Sequence, residues 1–73
     1  MNKKIIHKGG AYILYDAEGE YLLNVLCGKF AVYDVEFLLN ESEEENYQKD
    51  GLNYISKLAS DVSSSPQKYQ DRT

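Results

Sequence analysis

Residues 11–39 carry apolar or aromatic side chains at nearly every position outside their turns, and the alternation within them predicts three β-strands. The first run reads Ala11, Ile13, Tyr15 against Tyr12, Leu14, Asp16. Ala17-Glu18-Gly19 follows. A three-residue hairpin loop commonly ends on a glycine in the left-handed region, so this loop pairs Asp16 with Glu20, Tyr15 with Tyr21, Ile13 with Leu23 and Ala11 with Val25.

The second hairpin admits two registers. A two-residue turn at Gly28-Lys29 sets Cys27 opposite Phe30, Leu23 opposite Asp34 and Tyr21 opposite Glu36. A three-residue loop at Cys27-Gly28-Lys29 pairs Val25 with Ala31, Leu23 with Tyr33 and Tyr21 with Val35. A slip of one residue exchanges the two faces. The second register makes one face uniformly apolar: Ala11, Ile13, Tyr15, Tyr21, Leu23, Val25, Ala31, Tyr33, Val35 and Phe37. Burial of a large side chain is worth about 1.5–3 kcal/mol, against roughly 1 kcal/mol for local strand preference, so that register is the expectation.

The opposite face then holds Tyr12, Leu14, Leu22, Leu26, Phe30, Val32 and Leu38, interrupted by Glu20, Asn24, Asp34 and Glu36. It is too apolar for open water and too polar for a monomer's core. Either a second copy covers it, or the chain's own ends fold over it.

Residues 42–63 have helical periodicity, with Tyr47, Gly51, Tyr54 or Ile55, Leu58 and Val62 at three- and four-residue steps. Ser42 and Glu45 form a capping-box pattern, and Glu43 and Glu44 suit the positive end of the helix dipole. Gly51 falls mid-helix, at a cost of about 1 kcal/mol relative to alanine. Close approach of helix to sheet is the expected reason. The run Ser63-Ser64-Ser65-Pro66 stops the helix. The basic segment 1–10, punctuated by Gly9-Gly10, is a short strand or an arm.

The expected fold class is α+β. It comprises a three-stranded antiparallel β-meander, four-stranded if the N-terminal segment joins it, followed by one C-terminal amphipathic α-helix packed on one sheet face. Residues 1–65 make a single domain, and 66–73 a polar tail with one helical turn through Tyr69.

At 73 residues the core is small. A single core of this size supplies at most roughly 3–5 kcal/mol unless something reinforces it. One cysteine excludes an internal disulfide, and no cysteine–histidine cluster suits zinc, so association with a second copy is the expected support. Eight basic against twelve acidic residues give a net charge of −4, which argues against direct nucleic-acid binding and suits a basic protein partner. No apolar stretch approaches the ~20 residues of a membrane span. No apolar core follows the N-terminal lysines, so a cytoplasmic location is the default expectation.

Catalytic chemistry has little to work with. His7, the one histidine, is tied by nothing in the sequence to Cys27 or to a serine, and no enzyme activity or cofactor is expected. Cys27 reads as a half-buried filler at a turn. Six carboxylates make candidate acidic surface: Glu20, Asp34 and Glu36 on the sheet, and Glu43, Glu44 and Glu45 on the helix. The chosen register sets Glu20 opposite Glu36. Those three meet a partner's lysines, splay into water or hold a hard cation, although no calcium-loop spacing is present. Seven tyrosines favour interfaces, and Tyr12, on the uncovered face, is the one expected there.

Two functions are carried forward. The first is a small acidic interaction module, homodimeric through Tyr12, Leu14, Leu22, Leu26, Phe30 and Val32, of the kind that inhibits a basic partner. The second is a regulator that binds a small ligand or divalent metal at a subunit interface lined by Tyr12, Glu20, Asp34 and Glu36.

Overall fold

A computed structural model describes residues 3–28 and 32–73. The fold is α+β: a four-stranded antiparallel sheet followed by helices. The strands are β1 (Lys4–Lys8), β2 (Tyr12–Ala17), β3 (Glu20–Cys27) and β4 (Tyr33–Leu38), in the spatial order β1-β2-β3-β4. The helices are α1 (Glu41–Asp50), α2 (Leu52–Ser64) and the single turn α3 (Gln67–Gln70).

The first hairpin corrects the expected register. Ala17 pairs with Glu20, leaving a two-residue turn at Glu18-Gly19 with φ of 56° and 94°. Two central residues at positive φ are the type I′ signature, whose twist matches that of the flanking strands. Asp16 Oδ1 accepts the Gly19 N–H at 3.0 Å and braces the turn. The slip of one residue turns β2 over. Tyr12 and Leu14 join the helix-covered face, whereas Ile13 and Tyr15 move to the other.

Side-chain parity between β3 and β4 is as expected, with Leu23, Val25, Val35 and Phe37 on one face. The partners differ: Leu23 sits opposite Phe37 and Val25 opposite Val35, and pairing closes at Cys27 and Tyr33. Cys27 is therefore a strand residue. Phe30, Ala31 and part of the expected loop fall outside the described residues.

The helical region is broken. Asn40, not Ser42, caps α1: its side chain accepts the Glu43 N–H at 2.9 Å, and Glu43 Oε1 accepts the Asn40 N–H at 2.9 Å. The capping box thus lies two residues earlier than expected. Gly51 ends α1 at φ 64°, ψ −141°, its N–H donating to the Tyr47 carbonyl at 2.7 Å. A Cβ on Gly51 would meet nothing within 4 Å, so glycine serves the backbone reversal here and not a close approach.

All three helices lie on one face of the sheet. α2 buries Ile55, Leu58, Ala59 and Val62 against Leu14, Leu23, Val25, Val35 and Phe37. Tyr47 on α1 sets its ring edge-on to Tyr21 at 5.0 Å. On α3, Tyr69 stacks on Phe37 at 5.1 Å, and its hydroxyl donates to Asp61. That face is the dry one because no polar residue of β3 or β4 interrupts it, and six of the core's large side chains are fully buried in it or in α2.

Candidate functional site

The opposite face of the sheet has no helix over it among the described residues. Strand registry assembles it in rows. Leu38, Leu22, Tyr15 and Ile5 form one row across all four strands. Glu36, Asn24, Ile13 and Lys8 form the next, and Asp34 pairs with Leu26 in a third. Ile5 is 59 % exposed, Leu26 47 % and Leu38 36 %, whereas Leu22, flanked by Tyr15 and Leu38, is 9 % exposed. Exposed apolar side chains thus gather on a sheet face with no helix over it among the described residues.

Polar groups cross this surface as a connected line. Asn24 Nδ2 donates to Asp34 Oδ2 at 2.7 Å and to Glu36 Oε2 at 3.1 Å. Lys3 reaches over from the N-terminal side, its Nζ 4.4 Å from the centre of the Tyr15 ring and 3.3 Å from Glu36 Oε2. The amide and the ammonium separate two carboxylates that would otherwise repel across one strand face.

The expected interface residues divide. Leu22 and Leu26 are on the uncovered face. Leu14 is not: it is fully buried beneath α2. Tyr12 also faces the helices, packing over Gly9, where a Cβ would come within 2.5 Å of Tyr12 Cε1. Val32 is exposed and precedes β4. Phe30 lies outside the described residues. The sequence reading missed Ile5, Ile13 and Tyr15, and the two-residue turn at Glu18-Gly19 is the signal that places them.

The expected acidic patch divides too. Asp34 and Glu36 are together on the uncovered face. Glu20 starts β3 across from Ala17, and the residue opposite Glu36 is Asn24, so the carboxylate trio is not assembled. Glu44 and Glu45 lie in the solvated first turns of α1. Glu43 is 8 % exposed and is no part of an open patch. Its carboxylate receives Arg72 Nη2 at 2.6 Å and Nη1 at 3.0 Å.

Tyr12 is on the other side of the sheet from Asp34 and Glu36, so the ligand site drawn from Tyr12, Glu20, Asp34 and Glu36 does not form. Among the described residues, no group of three or more histidine, cysteine or carboxylate side chains is placed to hold a metal ion. No family model, curated protein or solved structure matches the chain.

On the helix side, Tyr12, Val25, Ser56, Ala59, Ser60 and Ser63 border a groove of about 300 Å³. Its lining carries hydroxyls and small apolar groups but no charged side chain. Cys27 is buried, its Sγ 3.7 Å from the Val25 carbonyl and 3.9 Å from that of Val62. Burial, and secondarily the Asp34 charge, push its thiol above the ordinary range and disfavour the nucleophilic thiolate.

Proposed function

We propose that this chain is a non-catalytic interaction module that pairs with a second copy of itself through the uncovered sheet face. The observation that carries the reading is the row Leu38, Leu22, Tyr15 and Ile5, which runs across all four strands with no helix over it among the described residues. A two-fold axis lying in the interface, parallel to the sheet plane, lets each copy present the same apolar row to the other. The buried, weakly acidic Cys27 thiol supports the absence of thiol chemistry.

Size sets the strength. Four strands about 4.8 Å apart and six residues of about 3.3 Å give each face roughly 300–400 Å² in projection. A standard interface buries about 800 Å² per partner, so the pair is weak and reversible. Sedimentation equilibrium tests this over a wide concentration range. The weight-average mass is expected to climb towards twice the 8.4 kDa of one chain. Leu26→Glu with Leu38→Glu is expected to abolish the rise with the amide spectrum unchanged, since both side chains are already solvent-exposed. A mass that stays at one chain throughout, or an association indifferent to both substitutions, overturns the reading.

A further inference from the structure

We propose that the free edge of β4 takes up an extended segment of another protein as a fifth strand, and that this segment carries lysine or arginine at alternate positions opposite Asp34 and Glu36. The inference concerns the backbone edge of β4, whose Asp34 and Glu36 side chains share the uncovered face with the apolar row.

Hydrogen-bond alternation defines the edge. Leu39 donates its N–H to the Tyr21 carbonyl at 2.9 Å, so the odd-numbered residues of β4 bond inward to β3. Asp34, Glu36 and Leu38 then direct their backbone groups outward. The Leu38 carbonyl confirms that direction independently, because it accepts Arg72 Nη2 at 2.9 Å from outside the sheet.

The two edges of the sheet are unlike. β1 has a register irregularity between Ile5 and His7 and carries Lys4 and Lys8, which are devices that discourage strand addition. β4 pairs without interruption from Tyr33 to Leu38 and contains no lysine, arginine or proline. Its outward-bonding residues are acidic at Asp34 and Glu36. A second β4 arriving by two-fold symmetry would oppose carboxylate to carboxylate, which is unfavourable. A cation-bearing strand meets complementary charge.

The chain's own cations already use this chemistry. Arg72 sits on the edge carbonyl of Leu38, and Lys3 on the carboxylate of Glu36. Beyond the Leu38 carbonyl the edge has no strand partner among the described residues, and the basic side chains of an added strand lie on the uncovered face. Its intervening apolar side chains fall beside Tyr33, itself 41 % exposed, and Val35. This is strand addition with side-chain selection by charge.

The test is titration of isotope-labelled protein with a short synthetic peptide alternating lysine and valine, followed by amide shifts. The largest shifts are expected at residues 33–38. Asp34→Asn with Glu36→Gln is expected to weaken binding roughly tenfold, the sum of two cross-strand charge pairs. N-methylation of the peptide amides that face β4 is expected to abolish binding, and a glutamate–valine peptide is expected not to bind. Three results overturn the proposal: no binding of the lysine peptide, equal binding of its N-methylated form, or shifts centred away from β4. The titration is run at a concentration where sedimentation shows a single chain, so that self-association through the apolar face does not enter the result.

Discussion

Arg72 and Glu43, 29 positions apart, meet through both guanidinium branches, with Nη2 2.6 Å from Oε1 and Nη1 3.0 Å from Oε2. The same carboxylate closes the capping box with the Asn40 N–H. The same guanidinium lies 4.5 Å over the Phe37 ring and donates to the Leu38 carbonyl. One ion pair therefore joins the end of β4, the start of α1 and the segment after α3. Arg72→Ala leaves a nearly buried carboxylate without its cation. The arginine retains 30 % side-chain exposure, so the loss is expected at about 1–3 kcal/mol, below that of a fully buried pair. Urea denaturation measures it. A loss within a few tenths of a kcal/mol would show that the segment contributes nothing.

Acid should weaken the fold through the same carboxyl. Burial alone would raise its pKa. The Arg72 hydrogen bonds, the Asn40 N–H and the Arg72 charge outweigh burial and hold it below the ordinary 4.5. A depressed folded pKa contributes stability that is complete above the unfolded value and drains away as pH falls through the folded one. The stability gap between the native chain and Glu43→Gln is therefore expected to be widest at neutral pH and to narrow below pH 4.5. Denaturation across a pH series reads this, and a constant gap would refute it.

Alkali should act through Tyr69. Burial first, then the hydrogen bond and charge of Asp61, push its phenol from 10.0 up to about 12. A raised folded pKa favours the neutral phenol in the native state. Its contribution is whole below pH 10 and is lost as pH rises through about 12. Tyr69→Phe is expected to lower stability at neutral pH and to flatten the alkaline loss, which denaturation at high pH measures.

Gly51 gives a test that turns on sign. In an unbroken helix, Gly51→Ala would stabilise by about 1 kcal/mol. At φ 64°, ψ −141° an alanine is strained, and the expected outcome is a loss of about 1–3 kcal/mol. No contact is involved, because a Cβ there meets nothing. Thermal unfolding of the variant decides between a broken and a continuous helix.

Several elements were legible along the chain because their causes are local. Strand alternation, Pro66 after a serine run and acids at a helix start each act within a few residues. They place the strands, the helical region and the apolar face shared by β3 and β4. The single long helix was misread at Gly51, since a glycine with helical neighbours reads alike in an unbroken helix and at a reversal. The C-terminal segment gave no sign that Arg72 would find Glu43, because nothing local links positions so far apart.

What the amino-acid order settles here is which segments are strand or helix, and that more apolar β-surface exists than one helical layer hides. The three-dimensional fold alone decides which side of β2 is covered. Tyr12 and Leu14 are as apolar as Ile13 and Tyr15, so alternation is indifferent between them. The tie is broken by the twist of a two-residue turn at Glu18-Gly19, and with it the membership of the candidate interface.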